Sequence, residues 1–194
     1  MKFRIFFLIL FLSSFLAKAQ HNQVIEQILQ DYFEATENKD WVKVINMANP
    51  KIFNFAPRET MIQLYTQMES DAGMGMDFSE MEVLDIKKEY IHADTLYVPV
   101  DYKMTLEIQL NPARYQDPQM LNSMRTGFEV AYAGQEMVYD QENMRFTIKV
   151  RNTLIATSKQ SSNQWFFGEY KPNDPVTQLI FPTEVLDRLQ NGWN

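Results

Sequence analysis

The sequence predicts an α+β fold in which N-terminal helices pack into a strongly curved, mostly antiparallel sheet. Apolar residues recur at helical spacing in residues 22–70, whereas the segments that we predict as strands between residues 81 and 170 mostly alternate between apolar and polar positions. The longest alternation is Thr95–Leu110. At about 3.3 Å per residue it would span about 50 Å, which is too long for a flat strand in a domain of this size. We therefore expect a bent central strand.

The first 19 residues have the composition of an export signal. A basic start precedes the apolar run Ile5–Leu12, and Ala17–Ala19 supplies the small residues of a cleavage site. The run is too short for a comfortable membrane span, although an uncleaved anchor is the alternative. We expect removal of residues 1–19 by cleavage before Gln20. Residues 20–194 would then form a single domain without a membrane span, either periplasmic or secreted.

Charge and composition exclude several classes of function. The formal net charge is −7, and loss of the basic leader would make it about −10. Such a chain is a poor partner for nucleic acid or anionic membranes. The sequence has no cysteine, which excludes disulfides and thiol catalysis. Its histidines, His21 and His92, are isolated and match no metal-binding spacing, so we expect neither a metal site nor a cofactor.

Three helices are predicted before the strands. The first covers residues 22–37, where the apolar residues form one stripe. Asp40 is a suitable capping residue for a second helix, from Trp41 to about Ala48. Pro57 is suited to the first position of a third helix, which ends near Ser70.

A loop and a strand are predicted between the third helix and the long strand. Asp71–Ser79 has two glycines and no periodicity, which indicates a loop. An alternative is that its methionines, Met74 and Met76, form a lid over a pocket. Met81–Ile91 is predicted as the first strand, and residues 92–94 as the turn that leads into the long strand.

Thr95–Leu110 is the predicted centre of the sheet. Its even positions are all apolar and its odd positions mostly polar. We therefore expect the helices to pack on the even face, while the odd face is exposed to water or to a partner. Asp101 and Glu107 are on the odd face and should point away from the helices. Pro99 marks the predicted position of a bulge or an edge.

A helix, three strands and a closing helix are predicted after the long strand. In order, they are Asp117–Tyr132, Glu136–Tyr139, Met144–Thr157, Gln164–Tyr170 and a helix opened by Pro182. The apolar phase of the second of these strands is broken at Asn152.

Three stretches form a recognisable order: the opening VIEQILQDYFEATENKDWVKVINM, the strand Thr95–Leu110 and the hairpin FTIKVRNTLIATSKQSSNQWFFGEY. This order resembles the nuclear transport factor 2-like superfamily. Through NMRFTIKV and LIFPTEVLDRL the sequence is most similar to small exported bacterial members that are themselves uncharacterised. The resemblance implies a cone-shaped sheet that wraps the helices and whose open end is often a pocket. Fold likeness alone does not fix a function.

The superfamily includes ketosteroid isomerases, whose chemistry needs carboxylates and a phenol inside an apolar cone. Glu169 is the most suggestive acid here, because it lies among aromatic residues where burial would raise its pKa. Arg151 is its expected partner, and a plain cross-strand ion pair on the outer face is the alternative. The residues that we select as candidates for lining a ligand pocket are Tyr32, Trp41, Tyr65, Tyr102, Arg151, Trp165 and Glu169.

These observations leave three hypotheses. The favoured one is an exported, non-enzymatic module that binds a small apolar ligand or a protein partner. The second is a lyase- or isomerase-like enzyme with an acid in the cone, which we disfavour because Asp101 and Glu107 should face outward. The third is a structural domain that forms homodimers through the sheet face, suggested by Tyr97 on the odd side of the long strand.

Overall fold

The computed structural model describes residues 22–70 and 74–193, and the predicted export signal lies outside these ranges. The helices there are α1 (22–37), α2 (Trp41–Asn46), α3 (Arg58–Ser70), α4 (Pro118–Ala131), α5 (Pro175–Ile180) and α6 (Thr183–Gln190), with a 3-10 helix at Pro50–Asn54. The strands are β1 (Met74–Ile86), β2 (Tyr90–His92), β3 (Thr95–Leu110), β4 (Glu136–Asp140), β5 (Arg145–Lys159) and β6 (Phe166–Tyr170). The predicted α+β class is confirmed.

The two long strands β3 and β5 form the centre of an antiparallel sheet. They pair from Thr95 with Lys159 to Gln109 with Arg145. β1 and β2 share the other edge of β3, while β4 and β6 share the other edge of β5. Over the described residues the sheet is therefore six-stranded and open.

One face of the sheet, which we call the inner face, contains the even positions of β3. Their alternation buries this face under helices, as predicted. At one end α1 packs on it through Ile25, Leu29 and Phe33. At the other end α4 covers it, and the side chains that pack there from this helix are Leu121, Met124 and Phe128.

The helices that follow β6 cover one corner of the opposite, outer face. Tyr97 and Ile155 lie there in a core cluster with residues of α5 and α6. Tyr97 is 5% exposed, so it is covered by its own chain. The expectation that Tyr97 belongs to an exposed part of the sheet face is therefore wrong, and the homodimer stays a prediction that this contact does not test.

Pro99 lies opposite an interruption between β1 and β2. The backbone N–H of Lys87 donates to the Pro99 carbonyl at 2.9 Å, which shows that this side of Pro99 faces the gap. A proline fits there because the neighbouring strand requires no N–H from it. The register shifts occur in β1, between Ser79 and Glu82 and again just after Val83, rather than in β3.

The predicted loop at Asp71–Ser79 is wrong over its described part. Residues 71–73 lie outside the description, and β1 already begins at Met74. Met74 and Met76 pair with Leu110 and Ile108 and pack into the inner core, so they form no lid. Pairing with a long neighbour overrides the weak strand propensity of a glycine-containing segment. The strand predicted to end at Ile91 stops at Ile86 and resumes as β2.

The C-terminal half confirms one capping signal and shows a second one. Asp117 accepts a hydrogen bond from the N–H of Gln119 at the start of α4, as its position before Pro118 predicts. Asp174 caps α5 in the same way by accepting from the N–H of Thr177. Helix α5 was not predicted, although Asp174 is followed by a proline just as Asp117 is.

Candidate functional site

Glu169 lies on the inner face of the sheet. It pairs with Leu154 of β5, and Leu154 pairs with Val100 of β3. Directly opposed residues of antiparallel strands share a face, so Glu169 is on the side that the helices cover. Its side chain is 36% exposed. The alternative of an ion pair on the outer face is therefore wrong.

The Glu169 carboxylate is held through both of its oxygens. Oε1 accepts from the hydroxyl of Tyr102 at 3.2 Å and from the side-chain amide of Asn152 at 2.6 Å. Oε2 is 2.9 Å from Nζ of Lys171. Hydrogen bonds and an adjacent ammonium favour the ionised form of a carboxylate. Because Tyr102 and Asn152 are opposed on β3 and β5, they form a rigid floor beneath it.

Phenols from several elements lie near enough to this carboxylate for its charge to raise their pKa, and we call them the tyrosine cluster. Its members are Tyr32 of α1, Tyr65 of α3, Tyr102 of β3 and Tyr132 at the end of α4. Burial, followed by the charge of Glu169, raises the pKa of Tyr102 well above its ordinary value. Burial raises the pKa of Tyr32 in the same way, with smaller contributions from Tyr65 and Glu169. The cluster is therefore protonated at neutral pH.

Lys171 and Glu169 act on the outer members of the cluster with opposite sign. Burial raises the pKa of Tyr65 most, and the charge of Glu169 raises it further. The charge of Lys171 lowers this pKa, but it is the smallest of the three contributions. Burial also raises the pKa of Tyr132, but there Lys171 acts more strongly than Glu169. Burial alone would lower the pKa of Lys171, and the charge and hydrogen bond of Glu169 raise it overall. The charge of Lys171 therefore acts more on Tyr132, and the charge of Glu169 more on Tyr65.

Ring contacts join the cluster to the core. Tyr32 packs on Phe167 with ring centroids 5.4 Å apart. Tyr65 stacks on Trp41 at 4.9 Å. The indole N–H of Trp41 is buried and has no acceptor among the described residues. An aromatic wall with an unused donor therefore lies beside the polar centre.

The structure brings most of the predicted pocket residues together. Tyr32, Tyr65, Tyr102 and Glu169 converge, and Trp41 joins them through Tyr65.

Trp165 belongs to the core next to these residues, whereas Arg151 lies elsewhere. Trp165 is buried in the apolar cluster that also contains Tyr102 and against which Tyr32 packs, about 13 Å along the chain from Glu169 at strand spacing. Arg151 pairs with Lys103 on the outer face and is exposed, so the predicted partnership with Glu169 is wrong. The partner of Glu169 is Lys171. The two residues are two positions apart, and in an extended chain such residues point to the same side.

Three residues of the site, Asn152, Lys171 and Tyr132, were not among the predicted candidates. A feature of the sequence could have identified Asn152, because it is the polar residue that breaks the apolar phase of β5. The spacing could also have identified Lys171, since it follows Glu169 by two positions. Tyr132 follows Phe128 by one helical turn, which places both on the face of α4 that meets the sheet.

Asp101 and Glu107 lie on the outer face, as predicted. Asp101 accepts from the hydroxyl of Thr153 at 2.6 Å and is 2.8 Å from Nζ of Lys87. Glu107 faces Arg145 at 3.6 Å. These acids belong to a row of surface ion pairs rather than to the tyrosine cluster.

Within the described ranges, no group of three or more His, Cys, Asp or Glu side chains is placed to hold a metal ion. No helix in the same ranges is both long and apolar enough to cross a membrane. No protein-family model and no curated protein matches this chain.

Proposed function

We propose that this protein is an exported member of the nuclear transport factor 2-like superfamily that binds a small molecule with an apolar body at the tyrosine cluster. The observation on which the proposal depends is a partly exposed carboxylate, Glu169, fixed by polar partners and surrounded by phenols on the helix-covered face. Ligand sites typically combine apolar, aromatic walls with a few convergent polar groups.

The fold supports the superfamily part of the proposal. Helices precede the sheet and pack on one face of two long antiparallel strands. The register shifts in β1 are the kind of irregularity that bends a strand, and a sheet bent in this way would form the proposed cone. The proposed site would then lie at the open end of the cone.

A purely structural role explains this arrangement less well than binding does. Polar groups cost free energy when they are removed from water, so a packing core is normally apolar. Here one stretch of the inner face, next to Phe33 of α1, contains Tyr102, Asn152 and Glu169 instead of aliphatic side chains. The side chains of Glu169 and Lys171 stay 36% and 58% exposed, so a ligand can reach them.

The binding proposal is tested by ligand-observed NMR with a library of small aromatic and alicyclic compounds. We expect hits that lose affinity in Glu169→Gln and keep it in Asp101→Asn. The latter is a matched control because Asp101 is 32% exposed and also pairs with a lysine, but on the outer face. A library without hits, or hits that both variants weaken equally, would contradict binding at this site.

The contact between Glu169 and Tyr102 favours a second candidate, a lyase- or isomerase-like activity. A carboxylate beside a phenol can move a proton to or from a carbon next to a carbonyl. We rank it lower because a carboxylate with donors on both oxygens is a weak base. Deuterium incorporation from D2O into carbonyl compounds, lost in Glu169→Gln, would establish the activity. Exchange no faster than in buffer would exclude it.

Export is tested separately. We expect a Gram-negative host that expresses the full chain to yield a periplasmic or extracellular protein that begins at Gln20. Intact-mass analysis of the fractions measures this directly. A cytoplasmic protein of full mass would contradict the export proposal and would leave the binding proposal unchanged.

A further inference from the structure

We infer that the ligand carries a carboxylate group, which binds to the ammonium of Lys171 and the hydroxyl of Tyr132. This inference rests on the proposed binding function and names the chemical class of the ligand. It makes Glu169 a positioning residue, because Glu169 would hold Lys171 rather than contact the ligand.

The first support is the order of contacts across the site. Tyr102 and Asn152 project from central strands and fix Oε1 of Glu169 at 3.2 and 2.6 Å. Oε2 in turn holds Nζ of Lys171 at 2.9 Å. Each group is thus positioned by the one behind it, starting from the most rigid part of the sheet. Lys171 is the last in this order and the nearest to solvent.

The second support is the supply of donors. An ammonium has further N–H groups after one is given to Glu169, and those of Lys171 have access to the open side because its side chain is 58% exposed. The Glu169 oxygens already have donors. The groups left over for a ligand are mainly donors, so the ligand should supply acceptors.

The third support is the local charge. Lys171 acts on Tyr132 more strongly than Glu169 does, although both contribute less than burial. An ammonium that lowers the pKa of a phenol stabilises the phenolate anion, and it would stabilise a carboxylate in the same position. A cationic ligand would have to displace Lys171 from Glu169 and leave an ammonium without its partner. Among acceptors, a carboxylate gains most here because hydrogen bonds between charged groups are the stronger ones.

The aromatic side chains around the site indicate the chemistry of the rest of the ligand. Tyr65 and Trp41 stack on each other, and Tyr32 packs on Phe167, so the rings next to the polar centre are fixed by the core. Rings held in this way present flat apolar surfaces. A ring or a branched chain attached to the carboxylate would pack against them.

The test is a titration of the full chain with matched compounds that share a body and differ in the head group. For each of a phenyl, a cyclohexyl and a naphthyl body, the carboxylate, the primary amide and the primary amine are compared by isothermal titration calorimetry. The variants are Lys171→Met, Lys171→Arg, Tyr132→Phe and the control Lys149→Met. Lys149 is 3.1 Å from Glu136 and is exposed on the outer face.

We expect the carboxylates to bind best. Lys171→Met should weaken them by about 10- to 100-fold and Tyr132→Phe by about 2- to 10-fold, since the first removes a charged donor and the second a neutral one. Lys171→Arg should retain most of the affinity, and Lys149→Met all of it.

Two results would overturn the inference and leave the binding function in place. In the first, amides or amines bind as well as the carboxylates do. In the second, Lys171→Met behaves like Lys149→Met. Absence of binding by every compound would instead overturn the proposed function itself.

Discussion

Asp101 on the outer face and Glu169 on the inner face make a natural comparison. Their side chains are 32% and 36% exposed, and each has a lysine ammonium within 3 Å, at 2.8 and 2.9 Å. Each also accepts a hydrogen bond from a neighbouring strand. Yet the charge of Glu169 raises the pKa of every member of the tyrosine cluster, whereas Asp101 is not among the main causes of any of these shifts. Neither exposure nor an ion pair therefore distinguishes the two acids.

The two acids differ in the residues that lie over them on their side of the sheet. Over the stretch around Asp101 the neighbours are other polar side chains of the same sheet surface, such as Lys87 and Thr153. On the inner face, helices α1, α3 and α4 bring side chains from distant parts of the chain to one point. A site with groups of different chemistry arises where several elements converge, because no single strand can supply them.

The largest expected contrast between the two faces concerns stability. Leu106 is buried on the inner face and Thr105 is next to it on the outer face, where its hydroxyl donates to Glu80 at 2.7 Å. We expect Leu106→Ala to lower the free energy of unfolding by about 2–5 kcal/mol. Thr105→Ala should cost less than about 1.5 kcal/mol. Urea denaturation measures both, and equal losses would mean that the inner face is not the core.

The covered corner of the outer face gives the next contrast. A Cβ on Gly168 would come within 2.7 Å of Phe181 and 3.1 Å of Ile180, which belong to the segment that caps this corner. Gly168→Ala should therefore cost about 1–3 kcal/mol through overpacking. At Gly127 in α4 a Cβ meets nothing within 4 Å, so Gly127→Ala should stabilise the helix by up to about 1 kcal/mol. Thermal unfolding of both variants measures the difference. If Gly168→Ala is neutral, α5 and α6 do not pack here as described.

Much of the fold could be predicted from the sequence, because the relevant patterns are local. The alternation in Thr95–Leu110 gives the strand and its buried face, and Asp40 and Asp117 mark the starts of their helices. The errors occurred where a neighbour decides the conformation. Residues 74–79 form a strand because β3 offers a partner, and Tyr97 is buried because helices that follow much later in the sequence return to cover it.

The site was predicted only in part for a related reason. Periodicity places residues on faces, so Tyr32, Tyr65, Tyr102 and Glu169 were reasonable candidates. It does not say which faces meet, and it led to Arg151 instead of Lys171 as the partner of Glu169. Alternation along β5 places Arg151 and Leu154 on opposite faces of the sheet. Because Leu154 pairs with Glu169, knowledge of that pairing would have excluded Arg151 as the partner of Glu169.

A smaller expected effect concerns the titration of tyrosine. Removal of the Glu169 charge by Glu169→Gln should lower the pKa of the tyrosine cluster, because a nearby carboxylate disfavours the phenolate. Asp101→Asn should leave the titration unchanged. Absorbance at alkaline pH, recorded while the circular dichroism still shows a folded protein, measures the shift. Equal titrations of the two variants would show that Glu169 does not act on the cluster.

The same pKa shifts set the sign of the stability change at high pH. The pKa of Tyr102 is raised above the ordinary value of 10.0. Above that pH the unfolded phenol loses its proton while the folded phenol keeps it, so the unfolded chain binds fewer protons. Stability should therefore fall as pH rises from about 10 towards the raised values. The fall should be smaller in Tyr102→Phe, as measured by urea denaturation between pH 9 and 11.

The smallest expected effect belongs to an outer ion pair that looks stronger than the inner one. Nζ of Lys103 is 2.6 Å from Glu82, closer than Lys171 is to Glu169. The pair is nevertheless a surface pair, with side chains 40% and 62% exposed, so Lys103→Met should change the free energy of unfolding by less than about 1 kcal/mol. It should also leave the titration of the tyrosine cluster unaltered, whereas Lys171→Met should raise the pKa of Tyr132, because Lys171 lowers it. If Lys103→Met shifted tyrosine titration as much as Lys171→Met does, the two faces would not be electrostatically separate, and the assignment of the site to the inner face would fail.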